Sequence, residues 1–158
     1  MDDSRYNDIL TRSFTRMHKY TCAEATLQGL LEYWNISELK ESWATAGYQG
    51  AIQSGNTTCG LLIGSSIAIG LKIGHGQDKI PDDNEKVRKM AIEEVKKLYK
   101  AFLHEFGCTE CKKMQGYDFS SSVSTLKFIA NKAWKTTCDK GLKFIFDYMK
   151  TLTEKGEI

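Results

Sequence analysis

Apolar residues recur along this chain at intervals of three and four, and alternation with period two is almost absent. Tyr6, Ile9, Leu10, Phe14 and Met17 mark one face of a first helix. Thr21 and Glu24 have capping-box spacing and open a second, which runs through Leu27, Leu30, Leu31 and Trp34. Asn35 with Glu38 offers another box, for a short helix to about Ala46. Gly47, Gly50 and Gly55 then punctuate a loop. Asn56, Thr57 and Thr58 are candidate caps for a helix reaching about Lys72. Pro81 followed by Asp82, Asp83 and Glu85 signals a helix start, since Pro suits the first turn and acids suit the positive dipole end. Val87, Ala91, Val95, Leu98, Phe102 and Phe106 form its apolar stripe, and Gly107 stops it. A Ser-rich turn at 120–124 precedes a helix over roughly 125–134. A last helix aligns Cys138, Leu142, Ile145, Met149 and Leu152. With no repeat and no linker, the pattern predicts an all-α fold: a single-domain bundle of about six to seven helices spanning 1–158.

Composition narrows what such a bundle does. A net charge of +2, with charged residues at 27% and spread in both signs, argues for neither nucleic acid nor an anionic membrane as partner. The stretch 42–71 has no formal charge, but polar residues interrupt it, and its apolar part, 61–71, falls short of the ~20 residues a membrane span needs. No secretory signal is read at the start, so a soluble, cytoplasmic protein without membrane insertion is expected.

The five cysteines change the picture. An odd number argues against a secreted disulfide framework. Three follow a threonine directly (Thr21-Cys22, Thr58-Cys59, Thr137-Cys138), and Thr109 stands two residues before Cys111. Threonine favours the N-cap, so four thiols are expected in the first turns of four helices. Unpaired N–H groups and the dipole there stabilise a thiolate, which is both nucleophile and metal ligand. Only Cys108 and Cys111 form a CxxC pair, whereas a zinc ribbon needs two. The pair follows a helix and Gly107 rather than a strand, unlike a thioredoxin-type site. Ferredoxin spacings are absent. Any ligand set must be assembled from distant segments, and metal binding, thiol redox chemistry and plain core packing all stay open.

The order Cys22-Ala23-Glu24-Ala25, then Cys59-Gly60-Leu61-Leu62-Ile63-Gly64, then Phe106-Gly107 with Cys111, then Cys138, resembles the small redox-active proteins named for a C–GCAxxG–C–C pattern. The same domain type resembles the iron–sulfur part of split-Soret cytochromes. The resemblance spans about 20–138. Leu61 stands where that family favours Ala, and Cys108 where a small non-thiol residue is usual. Cys111 precedes Lys112, so there is no haem-attachment Cys-x-x-Cys-His.

The resemblance implies an iron–sulfur cluster held by Cys22, Cys59, Cys111 and Cys138, with Gly60 and Gly64 letting backbone come close to it. Leu62, Ile63, Phe106 and Trp134 would then exclude water. The chain would be an electron carrier or oxidoreductase component serving a redox partner protein, more than a stand-alone enzyme, and a homodimer is left open. Two alternatives remain: thiol–disulfide chemistry without a cofactor, for instance at Cys108/Cys111, or a structural zinc site or core cysteines in an interaction domain. Among the histidines, His104 lies one turn before Cys108 as an auxiliary ligand or, more simply, a helix-end residue; His18 and His75 suggest no role.

Overall fold

The computed structural model describes residues 2–36, 41–77 and 84–158 and contains eight α-helices and no strand among them. They are α1 (Asp3–Met17), α2 (Cys22–Tyr33), α3 (Tyr48–Gln53), α4 (Gly60–Gly74), α5 (Glu85–Phe106), α6 (Cys111–Gln115), α7 (Ser122–Ala130) and α8 (Cys138–Glu154), with 3-10 turns at Glu41–Thr45 and Ala133–Lys135. The all-α expectation holds. Eight helices replace six or seven because α3 and α6 are short pieces that carry little periodic signal.

The pair α2–α4 forms the centre, with α1 and α8 against α2, and α5 and α8 against α4. Leu27, Leu30, Leu62, Ile69, Leu98, Phe102, Leu142, Ile145 and Met149 are fully buried there. Helical spacing carries these residues inward, as the stripes of α5 and α8 predict. Three polar side chains in this core bond one turn back: Ser13 Oγ donates to the Ile9 carbonyl, Thr26 Oγ1 to that of Cys22, and Ser65 Oγ to that of Leu61. Gly64 permits the closeness of α2 and α4. A Cβ there would stand 2.3 Å from the Ala23 carbonyl oxygen.

Several predicted boundaries move. The Asn35–Glu38 box places Asn35 at a left-handed φ of 57°, which no helix start adopts, while Glu38 lies outside the described residues. The glycine loop instead contains α3, and Gly55 alone of its three glycines takes a positive φ, 81°. Pro81, Asp82 and Asp83 lie outside the described residues; α5 is capped by Asn84, whose side chain accepts from the Val87 N–H. The helix expected over 125–134 begins at Ser122, because Ser121 Oγ accepts from the Ser124 N–H. It ends early, where Lys132 turns left-handed at φ 49°. Gly107 ends α5 at φ 74°, in the predicted place. Among the described residues no helix is long and apolar enough to cross a membrane.

Candidate functional site

Cys22, Cys111 and Cys138 are the first residues of α2, α6 and α8, and Cys59 is the N-cap of α4. Of the four threonine caps expected from sequence, one forms. Thr21 Oγ1 accepts from the Glu24 N–H at 3.1 Å, and Glu24 Oε2 accepts from the Thr21 N–H at 2.9 Å. The others yield to different contacts. Thr58 pairs with Glu110 in an isolated antiparallel bridge, so Cys59 takes the cap position. Glu110, not Thr109, precedes α6. Thr137 makes no side-chain cap bond, and Thr136 Oγ1 donates backward to the Ala133 carbonyl.

The bridge joins two distant cysteine segments directly. The Cys59 N–H donates to the Thr109 carbonyl at 2.7 Å, and the Cys111 N–H donates to the Thr57 carbonyl at 3.0 Å. Tyr48 Oη fastens the same segment by donating to the Thr58 carbonyl, with Thr57 Oγ1 also within bonding distance. Cys22 arrives from α2. Its sulfur fills the space that Gly60 leaves, for a Cβ at Gly60 would stand 2.4 Å from Cys22 Sγ. Cys138 arrives from α8, and Gln115 Nε2, at the end of α6, donates to its sulfur at 3.0 Å.

These four sulfurs converge. Cys22, Cys111 and Cys138 line one cavity of about 360 Å³. Cys59 lies beside it, 4% exposed, close enough that the other three each raise its pKa. Cys108 is not among the cavity's lining and is only half-buried. The rest of the wall is mostly apolar and aromatic, including Met17, Ile52, Phe119, Phe128 and Trp134. Trp134 is thus where sequence placed it. Leu62 is instead in the main core, and Phe106 packs tilted against Phe102 and edge-on to Phe144. The histidine at the cavity is His18, edge-on to Trp134 at 5.5 Å, and not His104, which is exposed on α5.

The electrostatics correct one expectation. Helix starts do lower the thiol pKa values here: amides of Ala23, Cys22 and Gly60 act on Cys22, and that of Leu61 on Cys59. Burial and the neighbouring sulfurs outweigh them. Cys22 is pushed up to about 12, first by burial and then by Cys111. Burial pushes Cys111 up to about 11. Cys59 and Cys138 are raised by burial first and by the other sulfurs next. Without a compensating positive charge all four are neutral thiols at physiological pH, not poised thiolates.

That has a direct consequence for reactivity. An alkylating probe on the folded, reduced, metal-free chain at neutral pH should modify Cys108 first. Cys22, Cys59, Cys111 and Cys138 should lag at least tenfold until denaturant is added, as peptide mapping by mass spectrometry would reveal. Rapid native labelling of any of the four would contradict this.

The donor set suits a sulfur-ligated group: four thiols on one locus, and an amide N–H aimed at one sulfur where it would also serve a thiolate. Among the described residues no three His, Cys, Asp or Glu side chains are arranged to hold a metal ion. Three polar atoms near the locus are buried without a partner: Gln115 Oε1, Trp134 Nε1 and Asp139 Oδ1. Sequence reasoning missed Gln115, Tyr48 and His18. A Gln four residues after a Cys, or a Tyr eleven before one, carries no signal that singles it out.

A family model described as "Putative redox-active protein (C_GCAxxG_C_C)" matches residues 20–152, which include α2 and the four converging cysteines. No curated protein and no solved structure matches the chain.

Proposed function

This chain belongs to the redox-active C_GCAxxG_C_C family, and on that premise we propose that Cys22, Cys59, Cys111 and Cys138 hold an iron–sulfur cluster through which it passes single electrons to a partner protein. The observation that carries the reading is the convergence of four thiols from four helix starts on one largely apolar locus. When bound, such a group supplies one-electron chemistry at a potential tuned by its surroundings.

The chain's own residues account for the rest. Amides at the starts of α2 and α4 face developing sulfur charge and partly offset it. Gln115 Nε2 holds Cys138 Sγ by a hydrogen bond, which favours the thiolate and fixes the side chain's direction. Gly60 makes the room in which Cys22 Sγ sits. Phe119, Phe128 and Trp134 give the cavity an aromatic wall. The thiols must lose protons on loading, so binding releases protons and weakens as pH falls.

Cofactor-free thiol exchange needs an accessible thiol, and Cys59 and Cys111 are buried. Structural zinc uses the same ligands, and metal analysis separates the two. The test is anaerobic reconstitution with iron and sulfide, followed by metal and sulfide analysis and visible and electron-paramagnetic spectra. The intact chain and Cys108→Ser should bind iron and absorb in the visible. Cys22→Ser, Cys59→Ser, Cys111→Ser and Cys138→Ser should each lose most of both. An iron-free, colourless product from the intact chain removes the proposal.

A further inference from the structure

Helix α7 is built the wrong way round for a surface helix. None of its residues is buried. Val123, Leu126 and Ile129 are 64%, 67% and 53% exposed. Spaced by three, they share one outward side. Scattered single apolar residues are ordinary on a surface, but three on one turn-aligned face mark a contact site.

The charge around this face has one sign. Lys127, Lys132, Lys135 and Lys140 are exposed and make no ion pair among the described residues. Between 122 and 143 the one acidic residue is Asp139. Burial raises its pKa, with Lys135 and His18 opposing, and its Oδ1 is buried without a partner. The other side of the same helix borders the cysteine locus: Thr125 and Phe128 line the cavity that holds Cys22, Cys111 and Cys138, and Ile129, 53% exposed, stands at its edge.

We propose that the outer face of α7, where Val123, Leu126, Lys127 and Ile129 are exposed beside Lys132 and Lys135 of the turn that follows and packs on it, is the docking surface for an acidic partner protein. A second copy of this chain is disfavoured by symmetry. A two-fold interface would set each lysine against the same cluster of lysines, whereas an acidic patch complements it. A partner seated there is one helix thickness from the sulfurs. That is the purpose of the site if the cysteines carry electrons; the docking itself stands on the face of α7 alone.

The test uses the full chain, both metal-free and reconstituted, with an acidic plant-type [2Fe–2S] ferredoxin as probe and basic cytochrome c as control, read by isothermal titration. The ferredoxin should bind, and about tenfold more weakly when salt rises from roughly 20 to 200 mM, because rim charges are screened. The triple variant K127E/K132E/K135E should weaken binding at least tenfold. Leu126→Ser should weaken it about fivefold or more with unchanged circular dichroism. Cytochrome c should bind more weakly than the ferredoxin. The proposal is overturned if the ferredoxin fails to bind, if neither variant weakens it, if cytochrome c binds better, or if sedimentation shows a dimer that Leu126→Ser dissolves. Charge-dependent binding by a chain that takes up no iron would leave docking standing while removing the cluster, and a loaded chain indifferent to the ferredoxin would do the reverse.

Discussion

The reduced, metal-free chain should unfold at a far lower urea concentration at pH 10 than at pH 7. Cys22, Cys59, Cys111 and Cys138 all have folded-state pKa values raised above the ordinary thiol value near 9. Stability from such groups is fully present below the unfolded-state pKa and is lost as pH rises toward the folded-state one. Above about pH 9 the unfolded chain releases these protons while the folded chain keeps them, so the equilibrium moves toward unfolding. Each group costs about 1.4 kcal/mol per pH unit in that window. Four acting together, even at half that slope, remove about 3 kcal/mol per unit from a total of order 5–15 kcal/mol. Tyr48 and Tyr99, raised chiefly by burial with Cys59 contributing, push the same way at higher pH. Loading a positively charged metal centre should remove the dependence, because the sulfurs are then already deprotonated. Equal urea midpoints at pH 7 and pH 10 for the metal-free chain would contradict the burial of these thiols.

Gly64→Ala should lower the melting temperature by about 5–15 °C, whereas Gly70→Ala, six residues further along the same helix, should leave it level or raise it slightly. Alanine is the better helix former by ~1 kcal/mol, so propensity alone favours both substitutions. At Gly70 nothing lies within 4 Å of the added carbon, and the propensity gain is retained. At Gly64 the carbon would meet the Ala23 carbonyl oxygen at 2.3 Å and Thr26 Cβ at 3.0 Å, and backbone cannot step aside alone. Helices α2 and α4 must part, at a cost of order 2–4 kcal/mol for overpacking, and a chain of this size loses roughly 2–4 °C per kcal/mol. Ala23 follows Cys22, so the displacement also reaches the site, and iron uptake should fall with stability. Calorimetry on the two variants separates these outcomes; equal melting temperatures would mean the helices are not in contact as described.

The long helices were legible because their apolar residues repeat over many turns, as Val87 through Phe106 do. The site was legible in which residues form it and where on their helices they stand, since Thr21-Cys22 and the other pairs mark chain segments just before a helix. The means of assembly was not. The bridge between Thr58 and Glu110 is a long-range backbone pairing that leaves no periodic trace, and it displaced the caps read at Thr58 and Thr109. The thiol pKa values were misjudged in sign for a related reason. A helix start is visible in sequence, but the crowding of four sulfurs at one largely apolar locus is a property of the folded chain. Short helices α3 and α6 escaped because five or six residues complete too few turns to show a face.

The reciprocal hydrogen bonds of Cys59 and Cys111 bear on how the proposed cluster would be loaded. They close a loop of about fifty residues, whose closure entropy is of order 3–4 kcal/mol. Folding meets that cost before any inorganic ion arrives, so capture does not have to. Under the proposed function, loss of the cluster would leave this pairing standing, with Cys22 Sγ in the space beside Gly60 and Cys138 Sγ bonded to Gln115.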